Sequence, residues 1–554
     1  MSAHAPQARF ASHEVTNQPP EFGGLNLFLG DPALREAALR EGGTWVEAPL
    51  AALGQDMGSD EVMELGEAAN RHPPELTAFD RYGRRIDEVR YHPAYHALME
   101  LAMRHRIHAI AWDTGRPGGH VAHAAMLALA TQAEAGTMCP ISMTYAAVPA
   151  LRRQPDLAAT WVPRIVQGRY DPTLRRIADK AGVTLGMAMT EKQGGSDVRA
   201  NTTAARPLGA GGPGMTYELT GHKWFCSAPM SDAFLTLAQT AEGLSCFLVP
   251  RITPDGGRNA IHLMRLKDKL GNRANASAEI EYHGAWASMV GPEGHGIETI
   301  IDMVHHTRLD TMASTLGLMR MALAQAAHHA RHRRAFQKRL VDHAVMRGVL
   351  ADLALDYEAA VVLVMRVARA FDAAEGPERV FARLAVAVGK YWLCKRAPSF
   401  VAKCMECLGG AGYIEDSMLP RLYREAPLNG IWEGAGNVIA LDVLRTLARE
   451  PLARAAFRSE IAAAKGGNAI LDATMAGLEA SLSHANEAQA RLVAERLALV
   501  LQGALLVRHA PAFVAEAFCA TRLGGESGRS YGTLPPGVAI EPVLARIIDG
   551  TYPS

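Results

Sequence analysis

Ala278-Glu279-Ile280-Glu281-Tyr282-His283 alternates apolar and polar side chains one by one. An extended chain turns successive side chains to opposite faces, so a period of two marks a strand with one face on a core. Tyr217 and Leu219 alternate with Thr216, Glu218 and Thr220 in the same way, and Cys246-Phe247-Leu248-Val249 is a short continuous apolar run. Gly, Pro, Asp and Asn separate these segments. Residues 184–290 therefore read as a middle β domain, either a small barrel or a sandwich.

Outward from this stretch the period changes. Leu350, Leu353, Tyr357, Val361 and Val364 step by three or four, which places them on one helix face. Helices over 297–332, 340–372 and 378–410 are long enough to pack as a bundle, assigned to 291–445. On the other side, residues 45–183 carry Ala/Leu/Met runs around 92–104 and 121–135, with prolines at 140, 149, 155, 163 and 172 punctuating a helical domain. Residues 1–44 mix Pro, Gly and Asn with clusters such as Leu25-Asn26-Leu27-Phe28-Leu29 and read as an extended arm. Residues 446–554 form an additional helical region. The predicted class is α+β, mainly α, in the order α–β–α.

Composition narrows the function classes. Lys+Arg and Asp+Glu both number 57 in 554 residues, so no global charge bias favours nucleic acid or an anionic membrane. The seven cysteines are scattered and odd in number, which argues against a disulfide framework. The first twenty residues, MSAHAPQARFASHEVTNQPP, have no apolar core of a signal peptide. No stretch approaches the 18 or so uncharged apolar residues of a membrane span. A cytoplasmic protein that does not enter the membrane is predicted. Cys404-Met-Glu-Cys407 has CxxC spacing but lies inside a helical pattern with no second Cys/His pair, so no metal site is expected.

Four segments can carry chemistry. Met189-Thr190-Glu191-Lys192-Gln193-Gly194-Gly195-Ser196-Asp197-Val198 follows an apolar run, and its glycines let a backbone approach a flat ring or a phosphate. Gly221-His222-Lys223-Trp224-Phe225-Cys226-Ser227-Ala228 offers adjacent aromatics followed by a hydroxyl. Arg331-His332-Arg333-Arg334-Ala335-Phe336 is a basic cluster at a helix junction, suited to a pyrophosphate or to solvent. In Ile431-Trp432-Glu433-Gly434-Ala435-Gly436-Asn437 a carboxylate lies between Trp and Gly. Partial desolvation there raises its pKa and suits it to proton abstraction.

In order and spacing over about 250 residues, MTEKQGGSDV, GHKWFCSA, RRAFQKRL, LGGAGY and IWEGAGN resemble five signatures of the acyl-CoA dehydrogenase flavoproteins. The resemblance is strongest to that family's alkylation-response branch, through LKDKLGNRANAS, PRLYRE and the extra C-terminal region. It implies an N-terminal helical domain, a middle β-barrel or sandwich, a C-terminal four-helix bundle, bound FAD and a homotetramer. It places Met189, Thr190, Gly194, Gly195 and Ser196 along the flavin and the neighbouring acyl-thioester groove. Phe225 stands where the family usually has Trp against the flavin ring, and Ser227 where it has Thr. Arg333, Phe336, Leu408, Gly409 and Gly410 would reach FAD bound by a neighbouring subunit. Gly434 belongs to the cofactor-binding set, and Asn437 replaces a frequent Gln.

Glu433 matches the family's catalytic base. The alternative base position, just before Arg308, holds Thr307, which cannot serve. The implied reaction is oxidation of an acyl-CoA, with Glu433 taking an α-proton and flavin N5 a β-hydride. The alkylation-response branch also implies double-stranded DNA as a second partner. Residues 446–554 do not favour this by charge, with ten Lys/Arg and ten Asp/Glu, although Arg449, Arg454, Arg458, Arg491 and Arg508 could gather on one side.

Overall fold

The computed structural model describes residues 6–483 and 485–548. Helices Pro93–Arg104, Gly119–Ala133 and Met138–Leu151 lead into a β-barrel, and helix Gly296–His332 begins the C-terminal bundle. The barrel strands are β3 (Leu185–Ala188), β4 (Ala204–Pro207), β5 (Thr216–Ser227), β6 (Ala233–Thr240), β7 (Gly243–Pro250), β8 (Ile261–Leu266) and β9 (Ser277–Val290). Pairing runs β6-β4-β5-β9-β7 and returns to β6, closing a ring; β3 adds to β6 and β8 to β9. Closure removes the free edges that an open sheet would expose. The alternation read from the sequence sets the register, with Tyr217 opposite Ala287 and Gly221 opposite Tyr282. Tyr217, Leu219, Ala278, Ile280 and Tyr282 all point into the barrel core.

The bundle consists of Gly296–His332, Ala344–Phe371, Gly376–Cys407 and Gly436–Arg449. Its longest helix touches the N-terminal helices so closely that a Cβ on Gly317 would lie 2.3 Å from the Ala128 carbonyl oxygen. Helices Pro451–Ala462, Ala490–His509 and Ile540–Ile548 follow, and Phe457, Leu497 and Leu544 extend the bundle's core rather than building a separate one. Among the described residues no helix is long and apolar enough to cross a membrane.

Two local departures from the sequence reading stand out. The stretch read as an extended arm contains the helix Pro32–Gly42, capped by Asp31, which accepts from Leu34 N at 3.1 Å. Asp31 also bonds the Tyr357 hydroxyl and pairs with Arg320, so the arm is anchored to the bundle by a buried carboxylate. Within the N-terminal helical stretch lies a hairpin, β1 (Glu75–Phe79) with β2 (Arg85–Arg90). Its turn is built by Asp80, which accepts from Tyr82 N and Arg84 N at 2.9 Å, and by Gly83 at φ +78°.

Candidate functional site

The loop Trp432-Glu433-Gly434 leaves the bundle just before helix Gly436–Arg449. Glu433 has φ +57°, a left-handed conformation that costs a non-glycine residue energy and must be imposed by its surroundings. Three groups impose it. The buried Lys390 of helix Gly376–Cys407, 1% exposed, donates to the carbonyls of Trp432 at 2.8 Å and Gly434 at 2.6 Å. Arg308 donates to the carbonyl of Glu433 itself at 3.1 Å and is held in turn by Asp442 at 2.8 Å. Trp432 Nε1 donates to Asn429 at 2.9 Å. Three successive carbonyls are thus bound by two cations, and the carboxylate between them is aimed by its backbone.

The Glu433 side chain accepts from the Thr307 hydroxyl at 2.6 Å. Burial pushes its pKa above the ordinary carboxylate value; the Thr307 hydrogen bond, Lys390 and Arg308 pull it back only in part, and Asp310 adds to the rise. A raised carboxyl that is still oriented for proton transfer is the arrangement a general base requires.

The barrel supplies the opposite wall. At the end of β3, Thr190 accepts from Trp224 N through its carbonyl at 2.7 Å, which ties the 189–196 loop to β5. Glu191 and Gly194 exchange two backbone hydrogen bonds, and a Cβ on Gly195 would fall 2.4 Å from the Thr190 hydroxyl oxygen, so the turn closes only around glycine. Beneath it lies a fully buried ion pair, Glu191 with Lys223 at 2.8 Å, both side chains 0% exposed. Glu191 also accepts from Thr202 N at 2.7 Å and the Thr203 hydroxyl at 2.6 Å. Burial works against this carboxylate, yet those donors hold its pKa down at about 2.

Met189 and Trp432 pack on the same apolar cluster, bringing the barrel loop and the Glu433 loop together. Cys139 lies at their meeting point: burial pushes its thiol up to about 12, and it is close enough to sense Lys269, Ser227 and Glu433. Phe225 presents an exposed ring, 46% accessible, with Lys267 Nζ 4.8 Å from its centroid. Ser227 Oγ is 3.5 Å from Ser277 Oγ, and the buried Asn275 beside them has neither side-chain atom hydrogen-bonded. Open ring, hydroxyls and unsatisfied amide together suit the polar edge of a flat heteroaromatic group.

Other residues expected at the cofactor lie elsewhere on this chain. About 25 residues of helix separate Thr307 from His332, or about 38 Å, so Arg333 and Phe336 cannot meet Glu433 within one chain. Arg333 donates to Asn17 O at 2.6 Å and Phe336 is 89% exposed. Gly409 and Gly410 are exposed and Leu408 half-buried beyond the C-terminus of helix Gly376–Cys407. Asn437 accepts from Arg491 at 3.0 Å, joining the loop to the extra region. The Ser196 side chain makes no contact that would fix a role.

Lys390, Lys269 and Asp310 were not legible as site residues. Lys390 is the only charge in the run Leu384-Ala-Val-Ala-Val-Gly-Lys-Tyr-Trp-Leu, a signal for a buried cation with a specific partner. Lys269 donates to Asn275 O and to Ser277 Oγ at 2.9 Å. Asp310, one turn beyond Thr307, binds His123 at 2.8 Å under the stacked ring of Tyr145. Among the described residues no group of three His, Cys, Asp or Glu could hold a metal ion.

Comparison with known proteins agrees with this architecture. Residues 17–172 match the adaptive response protein AidB N-terminal domain, 186–285 the acyl-CoA dehydrogenase middle domain and 294–448 the acyl-CoA dehydrogenase C-terminal domain. The chain is 45% identical over 520 residues to "Putative acyl-CoA dehydrogenase AidB" of Escherichia coli K12, covering 93% of this chain and 95% of that one. It is 30% identical over 504 residues to acyl-CoA dehydrogenase family member 11 of Caenorhabditis elegans, with 84% and 80% covered. The crystal structure of C. elegans ACDH-11 in complex with C11-CoA superposes with a TM-score of 0.83 at 27% identity, over 94% of each chain.

Proposed function

The chain belongs to the acyl-CoA dehydrogenase family of FAD-dependent oxidoreductases, and from that premise we propose that it oxidises an acyl-CoA thioester with Glu433 as the base. The observation that carries this reading is the desolvated Glu433 carboxyl, bound by Thr307 and held on a loop fixed by Lys390 and Arg308. FAD, when bound, would supply the hydride acceptor. Thr190, Ser227, Phe225 and the Gly194–Ser196 turn would hold it. Glu433 Oε1 or Oε2 takes the α-proton of the thioester, and the cation-locked loop keeps that oxygen in place while the adjacent carbon loses hydride. The thioester carbonyl becomes enolate-like as the proton leaves, and a backbone N–H at Glu433 stabilises it. Arg333, Phe336 and Leu408–Gly410 would serve FAD of a neighbouring subunit in a homotetramer.

An anaerobic titration with saturated acyl-CoAs of increasing chain length tests this directly. Loss of the yellow absorbance with one of them supports the reading; an unbleached spectrum with all of them refutes it. The double-stranded DNA reading has no comparable support: Arg508 is neutralised by Glu460 at 2.8 Å and Arg491 is engaged with Asn437.

Thr307 sets the pH at which the base works. Its hydroxyl donates to the carboxylate and so favours the charged form. In Thr307→Val the Glu433 pKa should rise further, and the acid limb of kcat/KM should move to higher pH. A limb that stays put or moves down contradicts the assignment. Lys390 acts through the loop, as a positioning residue. Lys390→Met should lower kcat by about 10²-fold, the scale of a 1 Å misplacement, with KM and the visible spectrum of the flavin much less affected. Equal loss in KM, or loss of FAD, would mean a general folding defect instead.

A further inference from the structure

A cavity of about 750 Å³ lies where β2, helix Pro93–Arg104, the 170–174 segment and the β5–β6 turn meet. None of Thr190, Phe225, Ser227 or Glu433 lines it. Its volume falls in the range of small-molecule sites.

The lining has three distinct parts. One wall is aromatic: Tyr91 and Tyr95 stack with centroids 4.0 Å apart and planes 16° from parallel. The sulfurs of Met99 and Met230 add polarisable surface that favours contact with rings over contact with alkyl chains. Inside, Ser231 is 3% exposed, and its hydroxyl has no hydrogen-bond partner. A buried hydroxyl left unsatisfied costs about 1–3 kcal/mol; Ser231 Oγ is closed to solvent as it stands, so a ligand atom would meet it only after the side chain turns to another staggered rotamer. At the rim, Arg258 is occupied by Glu88 at 2.6 Å, and Asp171 accepts from Thr173 and Ala181 N and lies 3.7 Å from Lys180. Lys180 is shared with Asp232 at 2.8 Å, whereas Arg90 is exposed and has no ion-pair partner among the described residues, which leaves its guanidinium open to an anion.

We propose that this cavity binds a planar aromatic acid of one or two fused rings, its ring against the Tyr91–Tyr95 wall, its anionic group at Arg90 and a polar atom at Ser231. The site is independent of the acyl-thioester reading and shares only a wall with that site, through Ala228 and Pro140, the residues that follow Ser227 and Cys139.

Isothermal titration of the full-length protein, as purified, with 2-naphthoate tests the assignment. One molecule per chain should bind. Arg90→Ala, an exposed position that leaves the fold intact, should weaken 2-naphthoate about tenfold and leave the neutral 2-naphthamide unchanged. Met230→Trp, which fills a half-buried part of the cavity, should abolish binding of both at an unchanged Tm. Absence of saturable 2-naphthoate binding, equal affinity in Arg90→Ala, or undiminished binding in a folded Met230→Trp protein each overturns the proposal.

Discussion

Glu433→Gln should lower acyl-CoA oxidation by about 10²- to 10⁴-fold, the usual contribution of a positioned general base. The fold should be untouched. Glutamine has the same shape, its amide oxygen can still accept from Thr307, and the φ +57° backbone remains held by Lys390 and Arg308. The variant also removes a carboxylate whose charged form burial disfavours, so Tm should be equal or slightly higher. FAD should remain bound with its ordinary visible spectrum, because no flavin-facing group of the barrel is changed. Stopped-flow measurement of the flavin absorbance against acyl-CoA separates this outcome from a binding defect. Full activity in the variant would remove Glu433 from the mechanism.

The largest effect on stability is expected from Lys223→Met. Glu191 would then be left charged, wholly buried and without its cation, a loss of about 3–5 kcal/mol. Most of that loss comes from the uncompensated buried charge, so removing it with Glu191→Gln in the Lys223→Met background should recover much of the lost stability. The pair also predicts acid sensitivity. The folded-state pKa of Glu191 is depressed from 4.5 to about 2, so its contribution is complete above the ordinary carboxylate value and is lost as pH falls from there towards 2. Thermal melts of the wild type and both variants between pH 7 and pH 3 check each point. A single variant as stable as the wild type, or a double variant less stable than the single, would show that the pair does not hold the barrel loop.

The α–β–α order was legible because each region repeats its own period: two in Thr216–Thr220 and Ala278–His283, three to four in Leu350–Val364. The β1–β2 hairpin was not, because Asp80-Arg-Tyr-Gly83 is a single turn signal inside a longer helical texture, and Arg85–Arg90, with Ile86 and Val89 three apart, does not alternate with a period of two. The helix Pro32–Gly42 was missed for a related reason. Its Pro at the first turn reads as a break, yet that position suits proline when Asp31 caps the helix.

The candidate site divides in the same manner. Trp432-Glu433-Gly434 is contiguous, and its chemistry could be read where it stood. Thr307 could be identified from the sequence only as a residue unable to be the base, whereas the folded chain makes it the hydrogen-bond donor to the Glu433 carboxylate across 126 residues of chain. Arg308 reaches the same loop from Thr307's own helix, and Lys390 reaches it from helix Gly376–Cys407.

Sequence alone determined the architecture and singled out Glu433 as the candidate carboxylate, because periodicity and adjacent residues are local properties of a chain. Only the tertiary structure decided how that carboxylate is aimed and how strongly it holds its proton. Both depend on burial and on cations brought in from distant helices, and neither burial nor distance is written in the order of residues.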